Sequence, residues 1–541
     1  MLRVSLLLAV LAAAVAAGSA VAAPSSSVCT GTCFAAPAGS GALFLFTGHG
    51  WGHGVGMSQY GAYGYAQHGA TFQEILAHYY PGTSLGPAPV TTIRVLLADK
   101  KKALTIASDV PFTVRDGAGR SVKVAPGKLK LTPALTISAT ALTPPLRVLP
   151  GKGGPLTLTR AYRGRIDVDI VDGRLRALNV LPLEQYLYGV VPSEMPSTWA
   201  PEALKSQAVA ARSYALATRQ VGAPFDVYPD TRSQMYLGLA NESSATNAAV
   251  AATRAQVLLY KGTVATTFFS STSGGKTESS QAWTGTALPY LVSVPDPYDN
   301  ISPYHDWGPV AVTAATITKA LKLTGGITDA TTTPDGNGRV AKLSFVTPFT
   351  PVSVTATTLR AAIGLRSTWF TVSVLSLAPP TPNAPVVYGS PVTLGGMIRG
   401  VTGVTLEQKP AGGQWESVGP VASGAVRLTQ QPTLNTDYRL ATSTAAAGAV
   451  RIKVAPAVTI ISFGSTQITG TVQPLLPDTP VEVQQQDPSL TTWTTVGVAT
   501  VTADGTFSLP VQLTAGATYR VSVVPAAGFA PGTTPPQVVV R

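Results

Sequence analysis

Apolar and polar residues alternate along much of this chain, in short runs that Gly and Pro residues separate. Between residues 90 and 175 the apolar positions include Ile93, Val95, Leu97, Val110, Phe112, Val114, Val122, Val124, Leu156 and Leu158. A period of two with turn residues between the runs predicts short antiparallel strands. We therefore expect a β module over residues 89–175, and it contains no candidate chemistry.

A second pattern, small apolar residues at helical spacing, predicts a helix over residues 201–217. Its stripe consists of Ala203, Leu204, Ala208, Ala211 and Ala215. Two shorter helices are predicted at residues 58–68 and 71–80. The second of them opens with Thr71 and Glu74 at the spacing of a capping box.

The C-terminal part changes in composition and repeats itself. After a Pro-rich linker at residues 379–385, two segments share aromatic landmarks: Tyr388 matches Phe463, Trp415 matches Trp493, and Tyr438-Arg439 matches Tyr519-Arg520. Each segment has short alternating strands around one Trp, which predicts a small β-sandwich. We expect these repeats to be spacers or binding modules, without a catalytic role.

Composition favours the same β-rich, modular picture. The 541 residues include 52 Gly and 44 Pro, and only 12% are charged. The formal net charge of +12 suits polyanions, such as nucleic acid, anionic lipid or the phosphate and carboxylate groups of a cell wall. Because the cations are dispersed, apart from residues 100–102, nucleic acid is not favoured as a partner.

The N-terminus predicts export. A short basic start precedes an uncharged apolar run at residues 4–17 and a small-residue cleavage pattern at residues 20–22, as in a secretory signal peptide. A retained membrane anchor is the alternative. Cys29 and Cys33 are the only cysteines, and they form either a small disulfide loop or two irrelevant thiols in a floppy N-terminus.

Residues 178–220 carry the main candidate for chemistry, and their pattern predicts a strand, a turn and a helix. Glu194 stands in the expected turn between Pro192 and Pro196, which fix φ and remove two backbone donors. A carboxyl group held at a defined position suits a catalytic acid.

Two cations, Lys205 and Arg212, follow on the predicted helix. They are nearly two turns apart, so both face the same way at a separation of about 10 Å. Either both are solvated with their stems over apolar neighbours, or they form an anion-binding face beside Glu194.

A glycine- and histidine-rich segment, GHGWGHGVGMSQYGAYGYAQHG, covers residues 48–69. Its glycines permit positive φ and close approach of the backbone to a ligand. For His49 and His53 three interpretations stay open: a metal ion, a substrate-lining role, or structural hydrogen bonds. The interleaved glycines argue against the helix that would bring both histidines onto one metal.

A further loop, SSTSGGKTESSQAWTG at residues 270–285, is dense in hydroxyl groups and backbone N–H groups. By composition alone it predicts a solvated turn-rich loop. Its groups also suit hydrogen bonds to sugar hydroxyls and acetamides, with Lys276 as an added cation.

These motifs, with LPLEQYLYGVVPSEMP, PEALKSQAVAARSYAL and DVYPDTRSQMYLG, resemble the stage II sporulation protein D / LytB family, here SpoIID/LytB. Family members act on bacterial peptidoglycan or assist enzymes that do so. The best-understood branch consists of lytic transglycosylases that cut glycan strands lacking stem peptides. In the better-known members the glycine–histidine signature follows the core, whereas here it precedes the core and is expected to pack on it from the other chain end.

The resemblance implies that Glu194 is the catalytic acid/base and that a set of other residues binds substrate. That set is Lys205, Arg212, Tyr214, His49, His53, Gln59, Gln234, Ser270, Ser271, Gly274, Gly275 and Lys276. Some family members carry zinc on Cys and His near the core. This core has no cysteine, so we expect neither a metal nor a cofactor.

The expected partner is the glycan strand of peptidoglycan, cut by one Glu acid/base. One rival is a non-catalytic enhancer that binds glycan and recruits a wall amidase, an N-acetylmuramoyl-L-alanine amidase. Another rival is a wall-anchored adhesion or scaffold protein. Neither nucleic acid nor a membrane, beyond an N-terminal anchor, is expected to bind.

The expected fold class is an α+β catalytic core with an inserted β module, followed by two all-β sandwich-like domains, in a multidomain secreted protein. The expected boundaries are a signal peptide at 1–22, a linker at 23–41, the Gly/His segment at 42–88, the β module at 89–175, the SpoIID/LytB-like core at 176–376, a first β repeat at 377–456 and a second at 457–541.

Overall fold

The computed structural model describes residues 33–37, 39, 41–487, 492–525 and 527–539. The predicted signal peptide and Cys29 lie outside these residues. The described chain is mostly β, and no helix in it is long and apolar enough to cross a membrane. Its α-helices are α1 (Gln59–Gln67), α2 (Phe72–Tyr79), α3 (Leu183–Glu194), α4 (Pro201–Ala217), α5 (Ser244–Ala252), α6 (Ser280–Thr284), α7 (Ala314–Leu321) and α8 (Ala356–Ile363).

Helix α4 lies at the centre of the core, as its stripe of small residues predicts. Ala208 and Ala211 pack in a cluster with α3, while Val209 and Ala210 pack in another with α1 and α2. Leu204 belongs to a third cluster. Because small side chains let neighbouring elements approach closely, α4 can be buried on several sides at once.

The prediction that Glu194 lies in a turn is wrong. Helix α3 continues through Pro192 and ends at Glu194, followed by Met195 in an extended conformation. The last turn is held by the Ser193 hydroxyl, which donates to the Gly189 carbonyl, and by the Met195 amide, which donates to the Val191 carbonyl. These two hydrogen bonds fix the backbone of the helix end that carries Glu194.

The Gly/His segment contributes to two parts of the molecule. Its strand, Leu43–His49, lies between the antiparallel strands Asp306–Thr313 and Phe370–Ala378. Its helices α1 and α2 pack on α4. The predicted capping box is confirmed: Thr71 accepts from the Glu74 amide, and the Glu74 carboxylate accepts from the Thr71 amide.

The β module consists of antiparallel strands, as the alternation predicts, around one apolar cluster. One sheet contains, in order, Thr92–Lys101, Arg174–Pro182, Arg165–Val171, Leu146–Leu149, Phe112–Arg115 and Ser121–Val124. The other contains Ala161–Tyr162, Leu156–Thr157, Leu104–Ser108 and Gly127–Leu131, and a hairpin pairs Thr136–Ile137 with Thr140–Ala141. Strand Arg174–Pro182 runs directly into α3, so the module fixes the start of the helix that ends at Glu194.

Two small sheets join the core loops. One contains Ser84–Pro87, Gln256–Tyr260 and Thr263–Val264, and the other pairs Met57–Ser58 with Phe269–Ser270. A separate apolar cluster holds α7, α8 and the sheet of Asp329–Pro334, Val340–Val346 and Val352–Thr355 against the strand Leu43–His49.

The central strands of the two β repeats pair in the same order, whereas the outer strands differ. The first contains Val386–Val387, Val392–Arg399, Thr405–Pro410, Glu416–Pro420, Gly424–Gln430, Thr436–Ala441, Ala445–Ala446, Val450–Ile452 and Val454–Ala455, and Phe34–Ala35 pairs with Ala445–Ala446. The second contains Ala457–Phe463, Gln467–Gln473, Pro480–Gln486, Trp493–Thr500, Thr506–Pro510, Thr518–Val523, Gly532–Thr533 and Gln537–Val538.

An Arg–Trp contact recurs at matching positions in the two repeats. The Arg439 guanidinium lies 4.0 Å from the centre of the Trp415 ring, and that of Arg520 lies 4.2 Å from the centre of the Trp493 ring. The Arg and Trp residues that mark the repeat in the sequence therefore form one cation–π pair in each copy.

The expected boundary at 376/377 falls inside a strand. Phe370–Ala378 pairs on one side with Leu43–His49 and on the other with Val392–Arg399 of the first repeat. Leu43 and Leu375 accordingly pack in the apolar cluster of that repeat. The core and the first repeat share a sheet, whereas the second repeat has a cluster of its own.

Candidate functional site

Glu194 is held at both its backbone and its side chain. The Met235 amide donates to its Oε1 at 3.0 Å, and the Gln59 side-chain amide donates to its backbone carbonyl at 2.9 Å. Burial raises the pKa of the Glu194 carboxyl, and the hydrogen bond from Met235 opposes this only in part. The carboxyl therefore holds its proton to a higher pH than an ordinary Glu.

The carboxyl opens into a cleft of about 300 Å³. Aromatic side chains form much of the wall, namely Tyr214, Phe268, Phe269 and Trp283. Among the described residues that line this Glu194 cleft, Glu194 is the only acidic one. Mostly apolar walls with a few placed polar groups are typical of small-ligand sites.

The loop that carries Met235 is fixed by its neighbours. The Gln234 side chain accepts from the Tyr186 hydroxyl at 3.1 Å and donates to the Ala211 carbonyl at 3.2 Å. Gln234 lines the cleft as predicted, but both ends of its amide are engaged inside the protein. It therefore positions the Met235 amide against Glu194.

His53 also lines the cleft, at its border with Trp283. Its Nδ1 accepts from the Val55 amide at 3.0 Å, and its ring centre lies 5.2 Å from that of Trp283. Burial lowers its pKa to about 4, helped by the charges of Arg360 and Arg339. An Nδ1 that accepts is unprotonated, so His53 is the neutral tautomer with its proton on Nε2.

Tyr214 of α4 lies on the cleft wall, between the buried residues Ser213 and Ala215 of the same helix. Burial, followed by the charge of Glu194, raises the pKa of its hydroxyl. The hydroxyl is therefore protonated at neutral pH and available as a donor close to the Glu194 carboxyl.

The prediction that Arg212 faces the substrate is wrong. Arg212 is fully buried, and its guanidinium forms two hydrogen bonds to Glu184, at 2.6 and 3.1 Å. It also donates to the carbonyls of Gln256 and Val250. Its partners are thus protein groups that tie α3, α4 and α5 together.

Lys205 is not in the cleft either. Its ammonium group lies 2.6 Å from Glu202 on the same helix, and Glu202 accepts in turn from the Phe72 amide at the start of α2. Of the two cations, only Lys205 has a partly exposed side chain, because that of Arg212 is fully buried. The two cations therefore do not form an anion-binding face beside Glu194, because each has its own carboxylate.

Three further predicted contacts lie outside the cleft. Gln59 is buried behind Glu194 and bonds to its backbone. His49 lies on the surface with its Nδ1 2.5 Å from Asp306. Lys276 is partly exposed and is not among the residues that line the cleft.

The amides of residues 272–275 donate to groups inside the protein, so they are not free to bind a ligand, contrary to expectation. Ser270 is buried and accepts from the Gly54 amide. The Gly274 amide donates to Asp299, and the Gly275 amide donates to the Ser273 hydroxyl. Ser271 is half-buried, and its carbonyl accepts from the Tyr60 amide.

A buried carboxylate pair, which the sequence analysis missed, organises that loop. Asp299 accepts from the hydroxyls of Ser58 and Thr272 and from the amides of Ser273 and Gly274. The only signal in the sequence is two aspartates, at 296 and 299, in an otherwise uncharged run.

Asp296, the other member of the pair, accepts from Tyr79 at 2.8 Å and from Ser273 at 2.7 Å. Burial and the nearby Asp299 raise its pKa to about 7. The pair links the Gly/His segment to the 270–276 loop, and it has no exposed surface.

Within the part of the chain that the structure describes, no group of three or more His, Cys, Asp or Glu residues could hold a metal ion. The cleft residues that sequence reasoning missed are Thr231, Ser233, Met235, Phe268, Phe269 and Trp283. Trp283 lies inside the quoted motif, but its neighbours gave no reason to select it.

Comparison with known proteins identifies the region around this site. Residues 171–260 match the SpoIID family model, described as Stage II sporulation protein. This range contains Glu194, all of α4 and the Met235 loop.

Curated relatives match over a similar part of the chain. An uncharacterized protein of Brachyspira hyodysenteriae is 44% identical over 120 residues, which are 22% of this chain and 33% of that protein. Stage II sporulation protein D of Bacillus subtilis is 38% identical, over 23% of this chain and 41% of that protein. The Amidase enhancer of Bacillus subtilis is 38% identical, over 26% of this chain and 18% of that protein.

The matches thus span less than half the length of each of these relatives. Among solved structures, a two-domain fibronectin type III segment of chicken tenascin is similar with a TM-score of 0.20 and 16% identity, covering 30% of this chain and 97% of that one. The family model and the named relatives agree with the motifs in the sequence. Residues 171–260 of this chain are therefore similar to the SpoIID/LytB family.

Proposed function

We propose that this protein is a lytic transglycosylase that cuts the bond from muramic acid to glucosamine in peptide-stripped glycan strands of peptidoglycan. The observation that carries the proposal is Glu194, a carboxyl with a raised pKa that a backbone amide fixes in an aromatic cleft. A general acid that works near neutral pH needs such a raised pKa.

In the proposed step, the Glu194 carboxyl donates its proton to the glycosidic oxygen as the bond from that oxygen to the anomeric carbon breaks. The 6-hydroxyl of the same muramic unit attacks the anomeric carbon and gives its proton to the Glu194 carboxylate. The product is a 1,6-anhydro end, and the acid is regenerated. One carboxyl is sufficient because no water has to be activated, whereas glycoside hydrolases generally use two.

The surrounding residues support this role. The Met235 amide holds Oε1, so the proton of the neutral acid is directed from Oε2. Tyr214 offers a hydroxyl donor for the substrate, and the aromatic wall excludes water. The cations that would lower the pKa of the acid are paired elsewhere, Arg212 with Glu184 and Lys205 with Glu202.

The proposal includes the cellular setting. A leader at residues 1–22 would export the chain, and the wall is where its substrate lies. The core at 176–376 would act as the α+β catalytic unit, with the Gly/His segment supplying His53 from the other chain end.

The test is to incubate the full chain with peptide-stripped glycan strands and to identify new ends by mass spectrometry. The wild type is expected to give 1,6-anhydro-muramic ends, and Glu194→Gln is expected to lower the rate by about 10²- to 10⁴-fold. Glu202→Gln is the matched control, because Glu202 pairs with Lys205 outside the cleft. Equal rates for wild type and Glu194→Gln would refute the assignment.

A second candidate function rests on the relative named Amidase enhancer, which is 38% identical over 138 residues. In that case the cleft binds glycan and recruits a wall amidase without cutting the strand itself. The wild type would then give no anhydro ends but would accelerate release of stem peptides by an added N-acetylmuramoyl-L-alanine amidase.

A further inference from the structure

A second cleft, of about 370 Å³, adjoins the Glu194 cleft. His53 and Trp283 line both, so the two clefts meet at this pair of rings. The ring centres of His53 and Trp283 are 5.2 Å apart, so the two side chains contact each other at this border. A polymer that enters the Glu194 cleft and continues past Trp283 would therefore enter the second cleft.

Three threonines and the carboxylates of Glu278 and Asp335 line the second cleft. Thr355, Thr357 and Thr368 line it together with Asp335, so we call it the threonine cleft. Trp283, at its border, is 36% exposed, a large aromatic surface left open to solvent. A sugar ring presents apolar C–H faces and a rim of hydroxyls, which match an aromatic surface beside hydroxyl and carboxylate groups.

Polar atoms with unused hydrogen-bonding capacity lie at the same place. Glu278 lines the cleft with a side chain that is 4% exposed, and its Oε1 accepts from the Ser279 amide and from Asn337. Its Oε2 lies 3.5 Å from Arg339 but makes no hydrogen bond, and Arg339 Nη1 makes none either. Both atoms are shielded from the cleft surface, so this buried ion pair is a fixed part of the cleft wall and does not itself contact a ligand.

The threonine cleft is built largely by a part of the chain beyond the family match. Asp335, Thr355 and Thr357 belong to the unit that contains α8, whereas the match ends at residue 260. The resemblance of residues 171–260 to the family therefore gives no role to the threonine cleft.

We propose that the threonine cleft binds a further N-acetylhexosamine unit of the same glycan strand, next to the unit held at Glu194. The proposal rests on the proposed function, because it takes the occupant of the Glu194 cleft to be a sugar of that strand. Occupation of the threonine cleft means that the affinity of the protein for a glycan strand increases with the length of the strand. Residues outside the family match supply this increase in affinity.

The experiment measures calorimetric binding of β-1,4-linked N-acetylglucosamine disaccharide and tetrasaccharide to the full chain carrying Glu194→Gln. We expect the tetrasaccharide to bind about tenfold more tightly, equivalent to about 1.4 kcal/mol. Thr357→Arg fills the threonine cleft from an exposed helix position and is expected to reduce this advantage to about twofold or less. Ala361→Arg is the matched control, since Ala361 is exposed on the same helix and does not line the cleft.

A second variant guards against a folding defect in Thr357→Arg. Asp335→Asn keeps the Oδ1 that accepts from the amides of Asn337 and Arg339, and it changes only the charge. It is expected to weaken tetrasaccharide binding and to leave disaccharide binding unchanged.

An undiminished length advantage in both variants, or equal affinities for the two oligomers in the parent, would overturn the proposal. If stripped strands were still cut in a Glu194-dependent way, the proposed function would survive that result. Absence of both binding and cutting would remove the two proposals together.

Discussion

At the residue scale, burial and pairing decide which charged groups can act on a ligand. Glu194 is partly enclosed and makes a single hydrogen bond from a backbone amide to its carboxyl, so it stays available for chemistry. Arg212 and Asp299 are fully buried with all their partners inside the protein, so they act on the fold. The same residue types therefore have opposite roles, and only the partners distinguish them.

Arg212 is predicted to matter for stability. Arg212→Ala would leave the Glu184 carboxylate without its cation and with only the Ala255 amide as a partner, and breaking a buried pair costs about 3–5 kcal/mol. Lys205→Ala, the matched control on the same helix, should cost less than about 1 kcal/mol, because its pair is partly exposed. Urea unfolding of both variants measures the difference. Equal, small losses would contradict the structural role of Arg212.

Asp296 is predicted to make stability depend on pH. Its pKa in the folded protein, about 7, is above the ordinary value of 3.8, so the folded state binds the proton more tightly. Its stabilising contribution is therefore complete below pH 3.8 and is lost as the pH rises through 7. The difference corresponds to about 4 kcal/mol at most.

Asp296→Asn should remove this term, because an amide cannot ionise. The variant is expected to lose less stability than the wild type between pH 5 and pH 8 in urea unfolding. Asp109→Asn, on an exposed loop, serves as the control and should follow the wild type. Parallel curves for all three proteins would show that Asp296 does not titrate in this range.

At the element scale, glycines in two helices allow neighbouring side chains to approach the helix backbone closely. A Cβ atom on Gly61 of α1 would lie 2.1 Å from the Tyr79 hydroxyl and 2.4 Å from Asp296. Similarly, a Cβ on Gly189 of α3 would lie 2.8 Å from the Tyr236 ring. Glycine in these helices is therefore a packing requirement, in spite of its poor helix propensity.

Gly61→Ala is predicted to be destabilising, although alanine is the better helix former. Propensity favours the change by about 1 kcal/mol. Overpacking against the hydrogen-bonded Tyr79 and Asp296 opposes it by about 1–3 kcal/mol. Gln67→Ala, at an exposed position of the same helix, should be neutral or stabilising. Thermal unfolding compares the two, and a rise in the midpoint for Gly61→Ala would contradict the packing argument.

The sequence predicts the helices and strands better than it predicts which side chains pair with one another. Strand alternation, the Thr71 capping box and the α4 stripe are local patterns, and the structure confirms all three. The pairing of Arg212 with Glu184 depends on how α3 and α4 cross, and no local pattern encodes it. Helix α3 continues past Pro192 because contacts from neighbouring elements outweigh the local cost of the proline.

At the scale of the whole molecule, the chain is joined by shared strands. The strand Leu43–His49 unites the Gly/His segment with Asp306–Thr313 and Phe370–Ala378, and the last of these continues into the first β repeat. One face of this sheet packs against α7 and α8, and the other packs against the first repeat. The first repeat is therefore part of the support for the core.

Truncation is predicted to separate the two repeats. A chain ending at residue 456 loses only the second repeat, which has its own apolar cluster, so it should remain folded and active. A chain ending at residue 378 would expose Leu43, Leu375 and their neighbours to water. Exposing each leucine lowers the free energy of unfolding by about 1.5–3 kcal/mol. Several such losses together amount to a large share of the stability of a typical domain.

The two truncated chains also help to distinguish an enzyme from a scaffold protein. Loss of function after removal of both repeats would not by itself indicate a scaffold, because the sheet beneath the core would be uncovered. Activity on stripped glycan and the unfolding midpoint should therefore be measured for both truncated chains. If the chain ending at 378 kept the wild-type midpoint, the shared cluster would not support the core. If the chain ending at 456 unfolded with a normal midpoint but lost all cutting, the second repeat would be needed to present the strand to Glu194.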